Sequence, residues 1–320
     1  MRKNASPFWV IVRKEVADYL HSWRFYILVG IIMLTCLGSL YTALSGISKA
    51  AAADVRIEFL FLRLFTVSDG NIPSFMEFIM FLGPLLGIGL GFDAINSERN
   101  KGTLSRTLAQ PVPRDYVINA KFVASLLVIG VAFFALGLLV VGMGIIVTGL
   151  ELSFEEFIRI IAYLLMSLVY VAFWLNLAIL FSVLFKQPAT AALAGIAIWL
   201  FFSIFYSMIL NLIADAIMPS EESLAAYRRF ESTLLFFSRF SPAFLFSEVT
   251  TTLLYPTVNR LNSALFATEQ EIFMIPDTPL SIWQSMLVSW PQLTAMIALT
   301  LICFAISYYV FMRQEIRSRN

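Results

Sequence analysis

Six stretches of this 320-residue chain, at about 25–44, 75–94, 122–148, 158–184, 190–213 and 291–312, are continuously apolar. A spanning α-helix needs roughly 20 such residues to cover about 30 Å of hydrocarbon, so each run is long enough to cross a bilayer. Composition agrees: 59% of the residues are hydrophobic and 13% charged, too few to coat a water-facing surface. Barrel strands would alternate in polarity, and these runs do not. The expected fold is an all-α polytopic membrane protein with six transmembrane helices, an N-terminal amphipathic interface helix (1–24) and a long extracytoplasmic segment (214–290) between helices 5 and 6. With no internal repeat, residues 1–320 are expected to form a single transmembrane domain.

Charge sets the orientation. Segments 1–24, 95–121, 185–189 and 313–320 hold 14 of the 22 Lys and Arg but few of the 21 Asp and Glu. Positive residues near span ends stay inside, which places both termini and a polar island at 95–121 on the cytoplasmic side of the cell (inner or plasma) membrane. Segments 45–74, 149–157 and 214–290 fall outside, and the last is expected to form short helices on the outer membrane surface. The net charge of +1, without a basic tail, gives no reason to expect nucleic acid as a partner. The first apolar run is longer than a signal-peptide core and its leader carries Glu15 and Asp18, so it is expected to remain as a span.

Local patterns refine the elements. Phe8, Val12, Val16 and Trp23 recur on one helical face, opposite Arg13, Lys14, Asp18 and His21, as in a helix lying in the membrane interface. Gly83, Gly87 and Gly91 clear a stripe along the second span for close helix approach, either an internal seam, which is favoured, or a dimer seam. Ser153 and Glu156 form a capping box that starts the fourth span. The turn KQPAT makes the fourth and fifth spans antiparallel neighbours. Asn176 and Asn211 are expected to hydrogen-bond between helices, the alternative being a substrate site. Ionisable clusters at bilayer depth, which membrane proteases and pumps need, are missing, as are a Walker lysine loop, HExxH and a nucleophile elbow. Whatever energy the protein uses is expected to come from elsewhere, and no metal site is expected.

The island reads DAINSERNKGTLSRTLAQPVPRDYVINAKF. Thr103 to Gln110 suit a short helix with Leu104 and Leu108 on one face, ended by Pro111 and Pro113 and flanked by Glu98, Arg99, Lys101, Arg106 and Arg114. Two apolar knobs within a charged rim suit docking of a soluble protein. In its order of Glu98, Gly102, Thr103, Leu104, Leu108, Pro111, Arg114 and Lys121, this segment resembles the ATP-binding cassette (ABC) type-2 permease family. The stretches VRKEVADYLHSWRF and SRFSPAFLFSEVTTTLL are similar to that family too, and the likeness runs through nearly the whole chain.

The resemblance implies a transmembrane permease subunit of an exporter, paired with a second copy or a sister permease and with separate cytoplasmic ABC ATPase subunits. Glu98, Arg99, Gly102, Thr103, Leu104, Leu108, Pro111 and Arg114 would couple to the ATPase, helped by the interface helix. The permease itself would catalyse nothing and bind no cofactor, ATP and Mg being used by the partner. The pathway would lie between two permeases, lined by the second and fifth spans. Trp199, Phe202, Phe205 and Tyr206 would face an apolar or amphipathic cargo, or simply membrane lipid. The alternative is a component that passes ATPase-driven motion to an extracytoplasmic partner without moving a small-molecule cargo.

Overall fold

A computed structural model describes residues 6–52, 59–68, 72–149, 151–218, 224–256 and 279–314. Among these the regular elements are all helical: α1 (Pro7–Leu20), α2 (Trp23–Ala52), α3 (Leu60–Thr66), α4 (Phe75–Gly91), α5 (Asn96–Asn100), α6 (Thr103–Leu108), α7 (Arg114–Thr148), α8 (Phe154–Leu184), α9 (Pro188–Leu200), a π-helical turn (Phe201–Phe205), α10 (Tyr206–Ile217), α11 (Leu224–Ser238), α12 (Pro242–Leu254) and α13 (Ile282–Arg313). Six stretches are long and apolar enough to span: Trp23–Gly46, Phe75–Asn100, Arg114–Thr148, Phe154–Leu184, Pro188–Ile217 and Ile282–Arg313. The chain is an all-α polytopic membrane protein.

Three helices open on capping boxes, at Ser74 with Glu77, Ser153 with Glu156, and Ser281 with Gln284. In each, the serine accepts the third backbone N–H while the third side chain accepts the cap N–H, satisfying two otherwise orphaned donors. The last box moves the start of the sixth span to Ile282, ahead of the expected 291, with Pro291 inside the helix. Ser285, Ser289 and Gln292 lower the hydropathy there, yet all three are buried against protein. They are polar residues within a packed interior, which a lipid-based reading discounts.

Helix α8 is the hub, packed against α4, α7, α9, α12 and α13. The glycine stripe is an internal seam with it. A Cβ on Gly87 would lie 2.9 Å from the Val171 carbonyl oxygen, and one on Gly91 would lie 2.8 Å from that of Leu175. Tyr170 donates to the Met80 carbonyl across this seam at 3.0 Å, and Asn176 donates to the Thr300 carbonyl of α13 at 3.3 Å.

The segment after the fifth span departs from expectation. Residues 219–223 and 257–278 lie outside the described residues, but α12 does not rest on a surface. Leu245, Phe246, Val249 and Leu253 form a helical stripe buried between α8 and α13, and Phe246 stacks on Tyr170 at 4.4 Å. Arg159 of α8 fixes its depth. Fully buried, it pairs with Glu155 at 2.8 Å and donates to the Leu253 carbonyl (3.0 Å), to Ser285 Oγ (3.1 Å) and to the Leu280 carbonyl. Glu156, one residue further along, accepts from the Phe61 amide at the start of α3 at 3.0 Å.

Candidate functional site

At one end of the bundle the chain leaves α4 and builds α5 and α6 before Pro113 starts α7. Gly102 turns the corner between the two short helices at φ 69°, a left-handed backbone that favours glycine. Glu98 on α5, Lys121 on α7 and Glu15 on α1 meet here. The Lys121 ammonium lies 2.8 Å from Glu98 and 2.9 Å from Glu15, with a side-chain exposure of 5%. Lys14 lies 2.9 Å from the other Glu15 oxygen and 3.7 Å from Glu98. Two cations thus alternate with two carboxylates, and pairing is what makes buried charge tolerable. Burial pushes the Glu15 carboxyl up, but Lys121 and Lys14 outweigh it and hold the group below its ordinary value. Burial pulls Lys14 down, and Glu15 more than reverses this. Burial also raises the Tyr19 hydroxyl beside the cluster.

A second set of bonds reaches the far helices. Arg99 donates to the Phe185 carbonyl (3.0 Å) after α8 and to Gln314 Oε1 (3.4 Å) after α13. Asn100 donates to the Lys186 carbonyl at 2.9 Å, and Gln314 to the Val183 carbonyl at 2.7 Å. The amides of Ile95 and Asn96 both donate to Ser182 Oγ, at 2.9 and 3.1 Å. Helices α1, α5, α7, α8 and α13 are therefore bonded into one unit. On its outside, Lys101, Gly102, Thr103, Arg106, Pro111 and Arg114 are exposed.

The fifth span carries a second feature, being the least buried of the six. Ser203, Ser207, Asn211 and Asp215 recur at every fourth position, and the last three are exposed, so Asn211 does not take the place between helices expected of it. An amide and a carboxylate facing lipid are costly, so this stripe belongs against water or protein. Beside it a cavity of about 260 Å³ is lined by Met80, Phe81, Phe202, Ser203, Tyr206 and Ser207, with α12 closing one side. The π-helical turn lies here, a distortion frequent at functional sites.

The family model of ABC-2 family transporter proteins matches residues 9–316. The chain belongs to the ABC-2 transporter family. It is 27% identical over 206 residues to the probable ABC transporter permease protein NosY of Stutzerimonas stutzeri, a match covering 63% of this chain and 68% of the relative. A protein of the same name from Pseudomonas aeruginosa is 29% identical over 209 residues, covering 63% and 69%. This ABC-2 protein is accordingly a membrane subunit of the permease type, a non-catalytic component of its transporter.

In this permease the residues singled out from sequence separate into two groups. Glu98 and Arg99 turn toward the chain's own helices. Leu104 is 1% exposed and Leu108 packs against the same core, so the two apolar knobs are turned inward. Four residues apart, they mark the face by which so short a helix must attach to its own protein. Gly102, Thr103, Pro111 and Arg114 stay exposed. On α1, Phe8, Val12 and Val16 pack on Ala120, Val123 and Ala124 of α7, a protein contact in place of the expected lipid surface, while Trp23 is 80% exposed. Of the four aromatic residues, Phe202 and Tyr206 line the cavity, Trp199 is buried against Phe81 with ring centroids 4.8 Å apart, and Phe205 is exposed. Sequence reasoning misses Glu15, Ser182 and Gln314. Only Glu15 carries a signal, as a carboxylate within the apolar set Val12, Val16 and Tyr19.

Proposed function

We propose that this permease is the pathway-forming subunit of an ATP-driven exporter in the cell membrane, coupled through residues 98–114 to separate cytoplasmic ATPase subunits that bind ATP and Mg. One observation carries the reading: an exposed basic surface (Lys101, Arg106, Arg114) sits on an element bonded to α1, α7, α8 and α13 together. A push there moves a unit of several helices, as a rigid-body switch requires. The basic residues at this end favour a cytoplasmic island with both termini on the same side. The polar stripe of α10 and its neighbouring cavity would face the pathway, closed by an identical or sister permease, and their mix of hydroxyls and aromatics suits an amphipathic cargo.

The test is affinity purification of the tagged permease from its native membrane in mild detergent. Wild type should bring down an ABC ATPase in near-stoichiometric amount, and Lys101→Glu with Arg106→Glu should reduce it roughly tenfold by reversing exposed charge. Full recovery of the ATPase with that variant would sink the coupling surface.

A second reading is favoured by α8, which is bonded to the island at one end and through Arg159 to α12 at the other. ATPase-driven motion would then reach an extracytoplasmic partner with no cargo crossing. Uptake of cargo by inverted vesicles supports the exporter. A complete ATPase complex without uptake, together with loss of an extracytoplasmic activity on permease deletion, supports the second reading.

A further inference from the structure

Two recesses share Val123 on α7. The first, of about 560 Å³, lies at the island end and is walled by Phe8 of α1, Tyr116, Asn119 and Phe122 of α7 and Phe304 of α13, with Ser6 at its edge. The second, of about 380 Å³, continues over Leu127, Gly130, Val131 and Phe134, with Leu168 of α8 as its side wall. Positions 116, 119, 123, 127, 130 and 134 advance by three or four residues, so they form one stripe on one helix face, and the two recesses form one groove.

The groove is graded in polarity. At its mouth the side chains of Ser6, Tyr116 and Asn119 make no hydrogen bond with any described residue, and Ser6 does not cap its own helix. Beyond Val123 the lining is hydrocarbon throughout. From Val123 to Phe134 the helix rises about 16 Å, close to half of a hydrocarbon core of about 30 Å. From Tyr116 to Val123 it rises about 10 Å, enough to pass through a headgroup layer. The deep part is open along Leu127 and Val131, which are 47% and 71% exposed, and its hydrocarbon lining and length suit one extended acyl chain.

We propose that this groove binds one phospholipid of the leaflet on the island side, with its phosphodiester at Ser6, Tyr116 and Asn119 and one acyl chain along α7 as far as Phe134. The three mouth groups are neutral hydrogen-bond donors suited to diester oxygens, so the headgroup is held by hydrogen bonds without an ion pair. A lipid seated there touches α1, α7 and α13 together, and helps to hold α1 where its Glu15 meets Lys121.

Native mass spectrometry of the full-length permease, extracted in mild detergent from vesicles of phosphatidylethanolamine and phosphatidylglycerol, tests this. Wild type should retain one phospholipid per chain, of either headgroup. Val131 lines the groove yet is 71% exposed, so Val131→Trp blocks the groove without disturbing the core, and should lower occupancy roughly tenfold. Ile146→Trp, at a site 77% exposed on the same helix but outside the groove, should leave occupancy unchanged. Asn119→Leu should lower it roughly threefold through loss of one hydrogen bond. A variable number of lipids indifferent to Val131→Trp, or occupancy lowered equally by Ile146→Trp, means annular lipid only and overturns the site.

Discussion

Lys121 is a lysine with 5% side-chain exposure at the edge of an apolar span, held there by two carboxylates from elements far apart in sequence. Such a cluster tolerates no subtraction. Lys121→Met keeps most of the stem's bulk but leaves Glu15 and Glu98 facing Lys14 alone, and breaking a buried pair costs about 3–5 kcal/mol. The thermal midpoint in detergent should fall well below wild type, and Glu15→Gln combined with Lys121→Met should recover part of the loss. Acid sharpens the comparison. The folded Glu15 carboxyl is held below its ordinary value of 4.5, so its contribution is complete above that pH and is lost as the pH falls through the depressed value. The gap between wild type and Lys121→Met should therefore be widest near neutrality and narrow in acid. A gap that is absent, or that widens in acid, contradicts the pairing. Glu98 and Lys121 could be picked out from sequence because they belong to one local motif. Glu15 needed the fold, since α1 and α7 come together only through their packed faces.

At the scale of elements, a close-packing stripe on α4 was legible because small residues at four-residue spacing let another helix approach, whereas its partner, α8 of the same chain and not a second copy, needed the structure. The structure turns that stripe into graded expectations. A methyl group at Gly87 or Gly91 meets backbone atoms of α8, which cannot yield. At Gly89 it meets only the tip of the Leu28 side chain, which can rotate away, and at Gly142 it meets nothing within 4 Å. Gly87→Ala and Gly91→Ala should each destabilise by about 1–3 kcal/mol through overpacking. Gly142→Ala should be neutral or stabilising, since alanine is the better helix former by about 1 kcal/mol. Detergent melts that rank Gly142→Ala with Gly87→Ala would refute the seam. What hydropathy concealed were the elements whose polar residues face protein. The first turns of α13 look too polar for a span, yet Ser285 and Ser289 are buried. Helix α12 looked like a surface helix, and Arg159, the residue that holds it inside, lies nearly a hundred positions earlier in the chain.

For the whole molecule, α8 is bonded to polar groups of other elements at both ends. At one end Ser182, Val183, Phe185 and Lys186 receive bonds from the island and from Gln314. At the other, Arg159 directs donors to Glu155, to the end of α12 and to the start of α13. A rigid helix between two such anchors links the expected ATPase contact to the segment on the far side, and the two anchors can be separated by substitution. Arg159→Lys keeps the charge but offers three donors in place of a planar fork of five, too few for its present partners. The island is untouched by this change, so ATPase recovery should match wild type. The far end should loosen: a cysteine placed at the fully buried Thr250 of α12 should resist maleimide in the parent and react in the Arg159→Lys background. Native Cys36 and Cys303 are buried and give a low background. If α8 carries motion, ATP-dependent transport or extracytoplasmic activity should fall in Arg159→Lys while the ATPase stays bound. Loosened labelling with unchanged activity would mean that α12 is fastened by Arg159 but is not driven through it.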